Sequence, residues 1–266
     1  MRYEYAPPQD LLDVAHCGTY KRRVPVSLER MYENTLDWEH LPHLHASSFT
    51  DLQVLDSGAW GWRAQTTNHK GQVSLLELKL DRSCRRWITR NLEGPAKGAE
   101  IWTHVFERGA RELDLVIDFF VPGVDPEARE KVGLAYANAY ETLYDEDVWM
   151  MTERQRVLDL RLDSVRNDSL EMDVPDENDL PVQVELSGRH FMLSRFQNDW
   201  VIYPAACPHL LGPLTGDVDQ HGQVHCPWHG YRFDVKTGEC VTGSACRFGK
   251  VPAVDESQDK LILSFD

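Results

Sequence analysis

Cysteine is scarce: six residues in a chain of 266 are no disulfide framework of the kind that holds small secreted domains together. A reducing, cytoplasmic home is the simplest expectation. Positive charge is short as well. Lys and Arg number 28 against 43 Asp and Glu, a formal net charge of −15, which argues against nucleic acid as a partner. No long hydrophobic run exists. The longest, Leu113 to Val124, is interrupted by Asp114 and Asp118 and is too short to span a bilayer, so no membrane partner is expected. Met1 to Asp10 lacks the apolar stretch that would open a secretory signal. Repeats and low-complexity tracts are missing too. The remainder, 42% hydrophobic and 27% charged, can bury a full core as one large or two small domains.

Two of the few cysteines stand in a conspicuous pattern. Cys207-Pro208-His209 is followed, after sixteen residues, by Cys226-Pro227-Trp228-His229-Gly230. Zinc accepts two thiolates and two imidazoles, but common fingers put both cysteines in one arm and both histidines in the other. Here each arm carries one of each. That alternation suits a two-iron cluster in which one iron takes both thiolates and the other both imidazoles. With Gly-Pro-Leu after the first arm and Gly-Tyr-Arg-Phe-Asp after the second, the stretch from about 182 to 266 resembles the Rieske [2Fe-2S] domain. The resemblance implies Cys207, His209, Cys226 and His229 as cluster ligands. High-potential members carry extra bridging cysteines inside the arms. Gly212 and Trp228 occupy those positions here, which implies the low-potential form found in oxygenases and their ferredoxins.

Ahead of this region the pattern is α+β. Residues 1–26 are poorly informative. A helix is expected from Ser27, a good N-cap with Glu29 in the first turn, toward Pro42. Alternation then predicts strands around Trp60–Ala64, Leu76–Leu80, Arg86–Leu92, Ile101–Phe106 and Leu113–Phe119. Asp125 and Pro126 open a long helix running to about Leu162. Asp163 to Pro181 holds seven acidic residues and little apolar content, and reads as a solvated linker. From Val182 the chain turns to short strands: Val182–Leu186, Phe191–Arg195, Trp200–Tyr203 and a closing Leu261–Phe265. The expected domains are therefore 1–162, a linker at 163–181, and 182–266.

The first helix ends in Asn34-Thr35-Leu36-Asp37-Trp38-Glu39-His40-Leu41-Pro42-His43-Leu44-His45. Two ligand sets are physically possible: in one, Asp37 and His40, with His43 or Leu44, lie along one helical face at i, i+3 spacing. His40 and His45 would diverge by about 140° on a regular helix and converge only if it breaks between them, where Pro42 stands. Asn-x-x-Asp-x-x-His-x4-His followed by Ala-Ser-Ser resembles the catalytic domain of Rieske non-haem iron oxygenases. The resemblance implies His40 and His45 as ligands of a mononuclear Fe(II), and Asp37 as a hydrogen-bonding bridge for electron transfer; His43 has no counterpart. The third ligand needed is a carboxylate. In the long helix Tyr136, Tyr140, Leu143, Tyr144, Met151 and Leu158 form an apolar stripe; Asp147 falls on it, while Asp145 and Glu146 are rotated away. A carboxylate on a buried stripe must pair, with Arg154 as one option, or bind a metal. Glu146-Asp147 with Glu153-Arg154-Gln155 resembles the family's last ligand segment.

What the resemblance implies is a terminal oxygenase with a helix-grip (START-like) antiparallel sheet and long C-terminal helix, followed by a small all-β Rieske domain. The order is the reverse of the family's, in which the Rieske domain comes first. The implied cofactors are a [2Fe-2S] cluster and mononuclear Fe(II). The implied partners are O2, a small aromatic or apolar substrate, a reductase or ferredoxin donor, and further copies of the chain in a homo-oligomer such as a trimer. Trp60, Trp62, Trp87 and Trp102 are candidates for a pocket or for plain core, and Arg82, Arg85, Arg86 and Arg90 for an acidic-substrate anchor or a solvated strand. The rival reading is an electron carrier fused to a helix-grip binding domain without catalytic iron. Asp147 together with His40 and His45 is what a mere binder has no reason to keep.

Overall fold

A computed structural model describes residues 15–160, 169–243 and 245–265. Contacts divide the chain after Thr152 into two compact units.

In the first unit, β1 (His16–Val24) precedes a helix α1 (Leu28–Leu36) and a short helix α2 (Leu41–Leu44). Six strands follow as a meander: β2 (Asp51–Gly58), β3 (Gly61–Thr67), β4 (Val73–Asp81), β5 (Arg86–Glu93), β6 (Glu100–Gly109) and β7 (Glu112–Phe120). The sheet runs β1-β7-β6-β5-β4-β3-β2 with every pair antiparallel. Then comes α3 (Arg129–Leu160), whose residues 153–160 fall in the second unit. The fold class is the α+β helix-grip arrangement expected, because the alternating strands give the sheet one apolar face. Trp62, Leu78, Trp87, Ile101, Leu115 and Phe119 on that face pack with Met31 of α1 and Tyr144 and Met151 of α3. Each such side chain removed from water contributes about 1.5–3 kcal/mol. Where α3 crosses β1 the helix has no room for a side chain at Gly133, whose Cβ would run into the carbonyl of Cys17, while a Cβ on Gly18 would lie in ordinary contact, 3.4 Å from the Gly133 Cα.

Two details differ from the pattern-based expectation, and a third is not described. β1 was not signalled, because Lys21-Arg22-Arg23 overrides its alternation; its basic side chains are accommodated by Asp114 on β7, 2.8 Å from Arg23, and by Asp145 on α3, 2.5 Å from Arg22. Asp125 makes no capping bond: a 3-10 turn, Pro126–Ala128, comes between it and α3. The helix's expected end at Leu162, and with it the 162/163 boundary, lies outside the described residues.

The opposite face of the sheet also carries buried polar groups, among them His104 and Asp118. Burial first, then the charge of Arg86, depresses the His104 imidazole to about 4, against the pull of Asp118. An unfolded-state histidine takes up its proton near pH 6.5. Below that value the unfolded chain therefore binds more protons than the folded one, and stability is lost as pH falls from about 6.5 toward about 4. Between pH 7.5 and 5, His104 is expected to account for a loss of about 2 kcal/mol. Urea midpoints at the two pH values check this: His104→Asn should show a smaller acid loss than the natural chain, and equal losses would remove His104 as the cause.

The second unit is built of short strands. β9 (Val182–Leu186), β10 (Arg189–Phe196) and β11 (Asp199–Pro204) form one sheet in the order β11-β10-β9. β12 (Gln223–His225) and β13 (Arg232–Asp234) make a ribbon, and β14 (Ala253–Ser257) and β15 (Lys260–Ser264) a hairpin. A third strand joins that hairpin: β8 (Ser169–Asp173), paired antiparallel with β15. The solvated-linker expectation for 163–181 is thereby corrected for residues 169–173; 163–168 lie outside the described residues. Leu170 and Met172 alternate with Ser169, Glu171 and Asp173, a half-buried strand pattern that the acidic content masked. Both pack against a core that includes Phe191, Leu193, Ile202, Leu261 and Leu263.

Candidate functional site

Two constellations stand out, one in each unit. In the first, α1 is opened by Ser27, whose hydroxyl accepts from the Arg30 N–H. The helix stops at Leu36, and Asp37 leaves helical geometry with φ −83 and ψ 88. The break thus lies at Asp37 and not at Pro42. Pro42 sits in the first turn of α2, where its missing N–H costs nothing. His40 and His45 flank α2 as its N-cap and C-cap, and His45 (φ −95, ψ 38) has left helical geometry. So the two rings converge instead of diverging: their centroids are 4.9 Å apart and their Nε2 atoms 3.2 Å apart.

Asp147 comes from α3. Its Oδ1 lies 3.4 Å from Nε2 of His40 and 3.1 Å from Nε2 of His45. All three side chains are buried, and their donor atoms lie within 4.8 Å of one another. Asp37 stands behind His40, with Oδ2 3.5 Å from Nδ1. His43 is exposed and outside the group.

Two partners went unassigned in the sequence. Glu146, which the apolar stripe placed facing away, reaches Nδ1 of His45 at 2.6 Å; the stripe locates a side chain's base, and a glutamate is long enough to reach round. Asn34 donates to Oδ1 of Asp147 at 2.9 Å. It stands in the Asn-x-x-Asp motif, which was the available signal. Asp147 is thus held by His40, His45 and Asn34.

The electrostatics follow. Burial works against charge on His40, but the bonds from Asp147 and Asp37 outweigh it and raise the imidazole to about 10. Burial likewise opposes ionisation of Asp147, yet His45 and His40 hold its carboxyl well below the usual carboxylate range. The group is therefore a buried carboxylate with cationic character concentrated against it, the balance a metal ion would replace. Glu146 bonds Nδ1 of His45 and Asp37 stands 3.5 Å from Nδ1 of His40, so each ring turns Nε2 toward the common point, as metal-ligating histidines require. Two imidazole nitrogens and one carboxylate, with no further ligand grouped with them among the described residues, fit the facial triad of non-haem iron.

The cavity beside the triad measures about 120 Å³. Trp62 and Trp87 line it; Trp102 packs on the other face of the sheet with Phe120.

In the second unit the two arms are matched loops. The Ala206↔Pro213 bridge closes the first, and the β12–β13 ribbon the second. The Cys207 N–H donates to the Gly212 carbonyl at 2.7 Å, and the Cys226 N–H to the Tyr231 carbonyl at 2.8 Å. Four residues past each cysteine, the chain turns back through a left-handed residue, Leu211 (φ 68) and Gly230 (φ 67). Their N–H groups donate to the carbonyls of Cys207 and Cys226. Both cysteines are fully buried, His209 is half-buried, and the rings of His209 and His229 lie 4.5 Å apart. The hydrogen bond from Cys207, followed by His229 and the Trp228 N–H, lowers the Cys226 thiol to about 5, whereas Cys226 pushes Cys207 up. Two facing sulfurs inside and two facing imidazoles beside them fit a [2Fe-2S] cluster bound thiolate-pair and imidazole-pair.

Comparison with known proteins agrees for this part of the chain. Residues 167–253 match the Rieske [2Fe-2S] domain family, so the C-terminal part is a Rieske domain, with a cluster and an electron-transfer role. Flavonoid 8-hydroxylase 2, chloroplastic, from Ocimum basilicum is 38% identical over 55 residues, 20% of this chain and 9% of the relative. Apoptosis-inducing factor 3 from Mus musculus is 35% identical over 63 residues, 24% of this chain and 10% of the relative. The chain thus spans about a tenth of the length of these curated relatives. A START superfamily protein from Mycobacterium smegmatis matches 49% of this chain and 93% of its own at 16% identity and TM-score 0.40. Among the described residues no helix is long and apolar enough to cross a membrane.

Proposed function

We propose that the chain is a Rieske-type oxygenase that hydroxylates, dihydroxylates or demethylates a small organic substrate with O2. In this reading Cys207, His209, Cys226 and His229 hold the cluster, and His40, His45 and Asp147 hold a mononuclear Fe(II). The cluster would supply single electrons, and the iron would supply oxygen activation. The observation that carries the reading is the buried convergence of two imidazole Nε2 atoms and one carboxylate in a chain that also carries a Rieske domain. The names of the relatives do not choose the reaction, since one is a hydroxylase and the other is not so named. The triad favours the oxygenase over a carrier fused to a binding domain.

The chain's own residues have distinct tasks. Asp37 orients His40 through Nδ1 and is the group through which an electron would reach that ring. Glu146 orients His45, and Asn34 holds Asp147. We place the catalytic domain at 1–162 and the Rieske domain at 182–266, with β8 added to the latter. An external reductase or ferredoxin and a homo-oligomeric assembly complete the proposal.

Iron analysis of anaerobically purified protein tests it, combined with a substrate screen for oxygen-dependent NADH oxidation using a generic reductase. About three irons per chain are expected, two for the cluster and one for the triad; about two, with no turnover on any substrate, would return the carrier reading. Glu146→Gln should weaken Fe(II) binding about 10- to 100-fold, the usual effect of removing an outer partner of a ligating histidine. Chelator competition measures it, and the cluster's visible absorbance should stay unchanged. An unaltered affinity would mean that Glu146 does not set the ring.

A further inference from the structure

We infer that the cavity beside His40, His45 and Asp147 takes an uncharged molecule with a single-ring apolar body and turns carboxylates away; this rests on the oxygenase reading above. Three observations support it.

The first is what lines the space. Phe49, Trp62, Leu78, Trp87 and Leu143 contribute apolar surface. Trp62 brings no free donor, because its indole N–H is committed to the Thr35 carbonyl at 3.1 Å. No Lys or Arg is found among the described lining residues.

The second is where the arginines of the neighbouring strands go. Any of Arg82, Arg85, Arg86 and Arg90 could have anchored an acidic substrate. Instead Arg82 lies over the Tyr32 ring at 4.5 Å, and Arg86 over Trp102 at 5.0 Å on the far face of the sheet. Arg85 pairs with Glu107 at 2.5 Å and Arg90 with Glu100 at 2.9 Å. None of the four reaches the cavity lining.

The third is charge balance and size. Asp37 and Asp147 both line the cavity and together neutralise a divalent ion, with Glu146 adding a further negative charge behind His45. An entering carboxylate would shed its water and find the ion's charge already balanced and no Lys or Arg in return, which is costly. The cavity of about 120 Å³ is somewhat smaller than an apolar cavity of about 150 Å³ known to accept benzene. That volume is closer to one ring than to two fused rings.

Ligand titration of the anaerobic, iron-loaded full chain tests the inference, read by tryptophan fluorescence and calorimetry. Benzamide and benzoate share a ring and differ in charge; 2-naphthamide adds a second ring. Benzamide should bind, with benzoate at least about tenfold weaker. 2-Naphthamide should also be weaker than benzamide, and Trp87→Ala should reverse that order by removing a wall. Benzoate binding as well as benzamide, or no measurable binding of either, overturns the inference. Should Trp87→Ala fail to fold, the benzamide–benzoate comparison on the natural chain decides alone. Iron is counted in the same samples. About three irons with equal benzoate binding sinks the inference and leaves the oxygenase reading standing. About two irons with benzamide still preferred does the reverse.

Discussion

Asp147→Ala is expected to lower iron from about three to about two per chain and to abolish substrate-dependent oxygen uptake, while the cluster's absorbance and reduction persist. The reason is geometric. Asp147 supplies the one carboxylate among three donor atoms lying within 4.8 Å of one another, and alanine leaves two imidazoles, a set too small to hold Fe(II) against solvent. Asp145→Ala is the control. Asp145 lies two residues earlier on the same helix, but its carboxylate is exposed and bonded to Arg22 at 2.5 Å. A surface pair of that kind is worth no more than about 1 kcal/mol, so iron content and turnover should not move. If Asp147→Ala keeps its third iron, the triad assignment fails and the metal lies elsewhere.

Gly212→Ala should produce the complementary loss. A Cβ at this position would stand 2.8 Å from the Trp228 ring and 2.9 Å from Sγ of Cys226. Trp228 is fully buried and cannot swing aside. The methyl group would therefore push the first loop away from the second, and overpacking of this sort costs about 1–3 kcal/mol even without a cofactor to hold. Iron is expected to fall to about one per chain, with loss of the cluster's visible and paramagnetic signatures. Gly216→Ala, with nothing near its Cβ, should keep the full complement. A normal cluster spectrum in Gly212→Ala would show that the loops separate without cost.

How much of this was legible beforehand varies with the range of the signal. The cluster arms are local: Cys-x-His and Cys-x-x-His spacing sets ligand type within a single loop, and each loop folds on its own backbone bonds. His40 and His45 are also local, and the place of Asp147 beside them was signalled by a periodic helical stripe. What escaped depended on reach or on neighbours distant in sequence. Glu146 contacts His45 across 101 residues, and periodicity cannot show that a long side chain returns to the face its base has left. The helix break moved from Pro42 to Asp37 because proline is tolerated in a first turn, so its presence did not fix where the turn began. β1 and β8 were hidden by charge: Lys21-Arg22-Arg23 and Glu171 mask alternation that only their partner strands, β7 and β15, make sense of.

The glycine contact between α3 and β1 has a mechanical consequence. With backbone against backbone at Gly133 and Gly18, the helix cannot sink toward the sheet there, so the crossing is the point about which any tilt of α3 would turn, a fulcrum. Asp147 lies farther along the same rod, about 21 Å from Gly133 at 1.5 Å per residue. A tilt of about 5° at the fulcrum would carry its carboxylate about 2 Å, comparable to a metal–ligand bond length. Bulk added at residue 133 would thus be felt at the triad as a change of reach, far from any residue that touches it.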